Sequence, residues 1–87
     1  MFRLILKDPV YLVLDHAYRW YDQQLPALGE QLLDEIEGYF TKLRTFPFHY
    51  NIMRDVFRAF ILKHFPYKIV FRIYREDVII YEVYHTS

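Results

Sequence analysis

Cysteine is absent from the 87-residue sequence, which excludes a disulfide framework, thiolate zinc sites and a cysteine nucleophile. Serine occurs once, as Ser87, with no base near it in sequence, and this argues against a serine nucleophile. The two glycines, Gly29 and Gly38, form no glycine-rich phosphate loop, so ATP-dependent and dinucleotide chemistry are set aside. Neither sign of charge is in excess, because the 11 basic residues balance the 11 acidic residues. The simplest argument for nucleic-acid binding is therefore lost.

The sequence also lacks long apolar runs and metal-ligand spacings. The apolar start at residues 2–6 is too short for the core of a signal peptide. No run approaches the roughly 18 apolar residues of a membrane span. The histidines His16, His49 and His64 show no metal-ligand spacing. We therefore predict one cytoplasmic domain over residues 1–87, with no cofactor, no metal and no membrane contact.

Aromatic side chains are abundant instead. Hydrophobic residues make up 54% of the sequence and aromatic residues 21%, which is more than a small domain needs to close its core. We therefore expect part of the aromatic surface to be left for a partner. The partner is either another protein or a second copy of the chain in a homodimer.

The first part of the chain predicts a strand followed by a helix. Residues 2–7 alternate loosely, as in a strand. Asp8 then supplies a helix N-cap, and Pro9 occupies the first helical position. The helix is expected over residues 9–24, because Pro26 disfavours helical geometry in the residue before it. Its apolar stripe consists of Val10, Val13, Leu14, Ala17 and Tyr21.

A second helix is predicted over residues 27–45, close enough to the first to form an antiparallel hairpin. Its apolar stripe consists of Leu28, Leu32, Ile36, Phe40 and Leu43. The acidic residues outside this stripe are expected to form a solvated helix face. They are Glu30, Asp34, Glu35 and Glu37. Residues 46–51 are expected to form a turn.

The second part of the chain is rich in β-branched and aromatic residues and predicts three strands, at 56–63, 67–74 and 78–85. We take residues 75–77 as a three-residue hairpin loop. That loop pairs Tyr74 with Val78, Arg72 with Ile80, Val70 with Glu82 and Lys68 with Tyr84. The expected fold class is α+β, with an N-terminal strand, an antiparallel two-helix hairpin and a three-stranded antiparallel meander in one sheet against the helices.

Period-two alternation then divides the predicted sheet into two faces. The apolar face, expected under the helices, carries Tyr67, Ile69, Phe71, Ile73, Ile79, Tyr81, Val83 and His85. The other face is mixed basic and aromatic and carries Lys68, Val70, Arg72, Tyr74, Ile80, Glu82 and Tyr84. The register of residues 56–63 stays open by one position, so Lys63 lies beside Lys68 in only one of the two alternatives.

Several short motifs occur in an order and spacing typical of one family. They are Trp20-Tyr21 near the end of the first helix, Leu28-Gly29 at the start of the second, Arg58, Leu-x-x-Phe-Pro-Tyr at 62–67, and the ending Val-Tyr-His-Thr-Ser at 83–87. Together they make the chain resemble the RelE/ParE superfamily of bacterial toxins over nearly its whole length. We expect Trp20 and Tyr21 themselves to be core and helix-packing residues.

The resemblance implies the toxin of a type II toxin–antitoxin system, neutralised by a cognate antitoxin whose C-terminal segment wraps around it. ParE-like members of the superfamily poison DNA gyrase, whereas RelE-like members cleave mRNA on the ribosome without a metal. A third alternative is an inactive interaction domain of the same fold. The fold alone does not choose among these functions.

The candidate site residues come from the mixed face and its surroundings. If the chain is a ribonuclease, Lys68 and Arg72 are the cations for the phosphate charge, with Tyr84 and His85 as further candidates. The candidates for contact with a target or an antitoxin are Arg58, Lys63, Lys68, Arg72, Tyr74 and Tyr84. In each alternative these residues are predictions based on the resemblance and on the face that they share.

Two features of the sequence rank the three alternative functions. Many relatives continue past the His-Thr-Ser ending into an arginine and a short tail that the ribonucleases use, whereas this sequence ends at Ser87. The basic residues exceed the acidic ones only slightly, six to four, over residues 52–87. Both features weaken the argument for RNA cleavage more than the argument for protein recognition. We therefore expect ParE-like binding of gyrase ahead of RelE-like cleavage, with an inactive or shortened toxin as a remaining alternative.

Overall fold

A strand, a helical hairpin and four further strands follow one another along the chain. The computed structural model describes residues 1–86, and Ser87, with the expectations attached to it, lies outside the described residues. The elements are β1 (Arg3–Leu6), α1 (Asp8–Gln24), α2 (Leu28–Thr45), a 3₁₀ turn (Pro47–His49), β2 (Ile52–Arg54), β3 (Phe57–Ile61), β4 (Tyr67–Tyr74) and β5 (Asp77–His85). The strands form one sheet in the order β1-β5-β4-β3-β2. The predicted α+β fold class is confirmed.

The helices follow the predicted stripes, with small differences at their ends. α1 begins at Asp8 itself, so the prediction that Asp8 is the N-cap is wrong. Lys7 is the N-cap, and its carbonyl accepts a hydrogen bond of 2.9 Å from the amide of Val10. α1 ends at Gln24, before Pro26, as expected from the geometry that proline imposes.

The two helices approach each other closely at the start of α2. Ala27 precedes α2 in the left-handed conformation, with φ of 71°. A Cβ atom added to Gly29 would lie 2.6 Å from the backbone oxygen of Tyr18, and real Cβ atoms are not found so close. Glycine is therefore needed at position 29 because the backbone of α1 occupies the space.

The core lies between the helices and the sheet face that they cover, which we call the helix-side face. It contains the buried residues Val10, Ala17, Leu32, Ile36, Phe40, Leu43, Leu62, Phe65, Ile69, Phe71, Val78, Ile80 and Val83. Both predicted helix stripes contribute to it, and Tyr21 packs against it. The expectation for Trp20 is wrong, because its side chain is 50% exposed, although its ring lies 4.9 Å from that of Tyr21.

The sheet has one strand more than predicted. β2 is a three-residue edge strand antiparallel to β3, with a register irregularity between Ile52 and Arg54. β3 is shorter than predicted, because it ends at Ile61, which pairs with Lys68. β1 pairs with β5 in parallel, and the helical hairpin follows β1 in the chain and leads to β2 at the other edge of the sheet.

The hairpin between β4 and β5 differs from the prediction in an instructive way. Its loop has two residues, with Arg75 in the left-handed conformation, and Asp77 pairs with Tyr74. The predicted pairs of Tyr74 with Val78 and of Arg72 with Ile80 are therefore wrong. A bulge at Tyr81 adds one residue to β5, and beyond it the pairs Lys68–Tyr84 and Val70–Glu82 are as predicted.

The shorter loop and the bulge also change which residues of β5 lie on each face, compared with the prediction. Ile80 was expected on the mixed face, but it pairs with Phe71 and is fully buried on the helix-side face. Ile79 pairs with Arg72 on the other face, and the ring of Tyr81 packs against Phe57 there. The reason is that a one-residue offset reverses the orientation of every side chain up to the next bulge.

Candidate functional site

The sheet face turned away from the helices, which we call the open face, carries most of the predicted site. Lys68 and Arg72 project from it on β4, and β3 and β5 pair with β4 on either side. The open face also carries aromatic and aliphatic side chains, namely Phe57, Ile61, Tyr74, Ile79, Tyr81 and Tyr84. Because β4 is the central strand, its side chains are held by pairing on both sides.

Lys68 and Tyr84 are directly opposite each other on β4 and β5, as predicted. Ile61 flanks Lys68 on the other side, from β3. Directly opposed residues of an antiparallel pair have Cβ atoms about 5 Å apart. The structure therefore places the side chains of Lys68 and Tyr84 side by side on the open face, with an apolar neighbour on the opposite side of Lys68.

Arg72 and Tyr74 form a second cluster on the open face, near the hairpin loop. The guanidinium carbon of Arg72 lies 5.2 Å from the ring centroid of Tyr74, and that of Arg75 lies 5.4 Å from it. Both distances allow cation–π attraction. Nε of Arg72 is buried without a hydrogen-bond partner within residues 1–86. Such a donor normally finds an acceptor in water or in a bound partner.

Three predicted site residues lie elsewhere. Arg58 is on the helix-side face, where its Nη1 donates a hydrogen bond of 2.6 Å to the carbonyl of Tyr50 and its guanidinium lies 5.2 Å from the ring of Phe48. Its contacts hold the segment before β2. His85 pairs with Tyr67, their ring centroids 5.2 Å apart, on the face opposite Lys68. Lys63 lies in the turn after β3 and is not paired with Lys68.

The turn that contains Lys63 is fixed by a residue of α2 that the sequence placed on the solvated helix face. One carboxylate oxygen of Glu35 accepts hydrogen bonds from the amides of Lys63 at 2.7 Å and His64 at 3.1 Å. The other oxygen lies 2.7 Å from Nδ1 of His64. The Glu35 side chain is only 14% exposed, so the expectation of a solvated residue is wrong.

These hydrogen bonds determine the charge state of Glu35. Burial by itself raises the pKa of the carboxyl group, but the hydrogen bonds from His64 and Lys63 outweigh it and lower the pKa below its ordinary value of 4.5. Glu35 is therefore ionised at neutral pH. No spacing in the sequence could have indicated the pair, because 29 positions separate Glu35 from His64.

A second feature that the sequence did not indicate is an apolar groove beside α1. It has a volume of about 750 Å³ and is lined by Leu12, Val13, His16, Tyr67, Val83, Tyr84 and His85. Leu12 is 73% exposed at the edge of this groove. Exposed apolar surface of this kind commonly marks a protein interface. The excess of aromatic residues in the composition predicted a partner surface but did not locate it at this groove.

Residues 1–86 also bear on metal binding and membrane insertion. In that part of the chain, no three His, Cys, Asp or Glu side chains come together in a way that could hold a metal ion. Neither of the two helices described there has the length and apolar character needed to cross a membrane.

Comparison with known proteins finds one matching family, which covers nearly the whole chain, and a solved structure of the same fold. The family model described as ParE toxin of type II toxin-antitoxin system, parDE, matches residues 6–87. Among solved structures, the chain resembles one from the chromosomal ParDE TA system of P. aeruginosa, with a TM-score of 0.85 and 16% sequence identity. The alignment covers 100% of this chain and 98% of that chain, and at this identity it shows a shared fold. No curated protein matches the sequence.

Proposed function

Because the chain belongs to the ParE toxin family of type II toxin–antitoxin systems, we propose that it inhibits bacterial growth by binding DNA gyrase and that a cognate antitoxin neutralises it. The single observation that carries this proposal is the family match over residues 6–87. The toxin would then act in the cytoplasm, as one domain over residues 1–87.

The open face supports the proposal as the surface for the target. It presents cations and aromatic rings from rigid strands, and Arg and Tyr are the residue types that carry much of the energy in protein interfaces. We therefore assign the cationic and aromatic residues Lys68, Arg72, Tyr74 and Tyr84 of this face to target contact.

The experiment is a supercoiling assay with purified gyrase and purified toxin. We expect inhibition at micromolar toxin, with accumulation of cleaved DNA, and at least a tenfold loss of inhibition in Arg72→Ala. Arg19→Ala is the matched control, because Arg19 lies on the outer side of α1 in an exposed ion pair with Asp15. Absence of both inhibition and cleaved DNA with the unaltered toxin would refute the proposal.

The pairing of Lys68 with Tyr84 favours RelE-like cleavage of ribosome-bound mRNA as a second candidate. An ammonium group could stabilise the phosphate charge, and a neighbouring phenol could exchange a proton with the ribose. The location of His85 on the other face removes one candidate from that arrangement. Cleaved mRNA in translating extracts, lost in Lys68→Ala and accompanied by unaffected gyrase, would replace the first proposal with the second.

We assign the groove beside α1 to the antitoxin. Its exposed apolar side chains, such as Leu12, fit an apolar segment of a partner, and the related P. aeruginosa structure is of a ParDE system. Leu12→Glu should keep toxicity but lose rescue by a co-expressed antitoxin, whereas Arg72→Ala should lose toxicity and keep antitoxin binding. A chain that is expressed freely without any antitoxin would instead be an inactive domain of this fold.

A further inference from the structure

A solvent-open pocket lies between α2 and the turn that follows β3, on the helix layer and away from Lys68 and Arg72. Its volume is about 430 Å³, and it is lined by Glu35, Gly38, Tyr39, Lys42, Lys63 and His64. The α2 residues in this set are spaced at three and four positions, which places them on one side of the helix. The pocket thus brings two lysines and a histidine together from segments 20 or more residues apart in sequence.

The acidic side chain among these lining residues, all of which the structure describes, is already engaged. Both oxygens of Glu35 accept hydrogen bonds from the turn, one from two backbone amides and the other from Nδ1 of His64. The Glu35 carboxylate therefore fixes the turn and is directed into it. Lys42 and Lys63 are the other charged residues that line the pocket, and neither has its charge paired with Glu35.

The walls of the pocket are held in place by contacts of the same residues. The ring of Tyr39 packs on that of Phe60 with centroids 4.7 Å apart, and Nζ of Lys42 lies 5.6 Å from the Tyr39 ring centroid. Both contacts occupy the ring, so Tyr39 is a wall and not a stacking platform for a base. At Gly38 an added Cβ would meet nothing within 4 Å, and the helix backbone is therefore open to the pocket.

We propose that this pocket binds a phosphate group through the ammonium groups of Lys42 and Lys63. A compact oxyanion suits the site, because it accepts hydrogen bonds in several directions from donors on different segments. Nδ1 of His64 is held by Glu35, which leaves Nε2 of this exposed ring as a further polar atom beside the two lysines. The binding site is independent of the proposed action on gyrase.

The test is a titration of the ¹⁵N-labelled full chain with inorganic phosphate at constant ionic strength, with chloride as the reference anion. We expect saturable shifts of the Lys63 and His64 amide signals. The double variant Lys42→Gln/Lys63→Gln should weaken phosphate binding at least tenfold. Lys7→Gln is the matched control, because Lys7 lies near Tyr81 on the opposite side of the sheet, and it should change affinity less than twofold.

Parallel titrations identify the source of the phosphate. Saturation by a 5′-mononucleotide, with the same loss in the double variant, assigns the pocket to a free phosphate monoester. Saturation by a short oligonucleotide alone assigns it to a nucleic-acid backbone, and both outcomes support the proposal. Unsaturable shifts, or equal affinity in the double variant, would overturn it. So would saturation by a glutamate-rich peptide in the absence of any response to phosphate.

Discussion

The two faces of the sheet share one backbone but differ in burial and in the chemistry of their side chains. Phe71 and Arg72 are neighbours on β4, yet Phe71 is fully buried under the helices while Arg72 extends over Tyr74 on the open face. The helix-side face is mostly apolar and is largely covered by the helices, so its burial stabilises the fold. The open face holds charged and aromatic groups in fixed positions, and it is the surface that we propose for contact with the target. Core residues and proposed contact residues are thus separated by one step along a strand.

The bulge at Tyr81 shows how that separation is maintained along β5. On the loop side of the bulge, Val78 and Ile80 are buried, and beyond it Val83 is buried. Strict alternation would have placed Val83 on the other face from Ile80. The extra residue returns Val83 to the core and leaves Tyr81 on the open face, against Phe57.

The largest expected effect on stability comes from a substitution on the helix-side face. Phe71→Ala should lower the free energy of unfolding by about 3–5 kcal/mol, because it removes a buried ring and leaves a cavity. Urea denaturation followed by circular dichroism measures the change, and Phe71→Leu should fall between the variant and the unaltered chain. A loss no greater than that of Arg72→Ala would contradict the contrast between the faces.

The next effect concerns the helix layer that closes this face. Gly29→Ala should cost about 1–3 kcal/mol, because the new methyl group meets the Tyr18 backbone and the helices must move apart. Gly38→Ala is the control. The same methyl group finds open space there and should stabilise α2 by up to about 1 kcal/mol. Thermal denaturation should therefore shift in opposite directions for the two variants, and shifts in the same direction would refute the packing argument.

A smaller effect is expected where α2 holds the turn. Glu35→Gln should cost about 1–2 kcal/mol at pH 7, because it weakens the hydrogen bonds to Lys63, His64 and the imidazole ring.

The pH dependence of that effect has a definite sign. The pKa of Glu35 is lower in the folded chain than its ordinary value of 4.5, so its stabilisation is fully present above that value. It is lost as the pH falls through the lower folded-state pKa. The stability difference between Glu35→Gln and the unaltered chain should therefore shrink below pH 4.5. A difference that stays constant from pH 7 to acid would contradict this assignment.

The smallest effect on stability is expected on the open face. Lys68→Ala and Arg72→Ala should each change the free energy of unfolding by less than about 0.5 kcal/mol, because neither residue closes the core. Both should nevertheless lose growth inhibition in cells. A variant that unfolds readily, or one that is stable and fully toxic, would remove the distinction between the two faces.

Much of the fold was predictable because its signals are local. The stripes of both helices, Pro26 at the end of α1, and the far half of the β4–β5 hairpin were all predicted, since periodicity and proline geometry act over a few residues. The loop length at Arg75 and the bulge at Tyr81 were not, because each offset depends on how strands pair. β2 was not predicted, because its three residues are all exposed and show no alternation of buried and exposed side chains.

The sequence by itself determined the fold class, the resemblance to a toxin family and the placement of Lys68 opposite Tyr84. Tertiary structure alone decided that Arg58 holds a segment on the helix-side face, that Trp20 is half exposed, and that Glu35 holds the turn at His64. The physical reason is distance along the chain. Periodicity indicates which side of an element a residue occupies, but only packing determines which distant groups meet there.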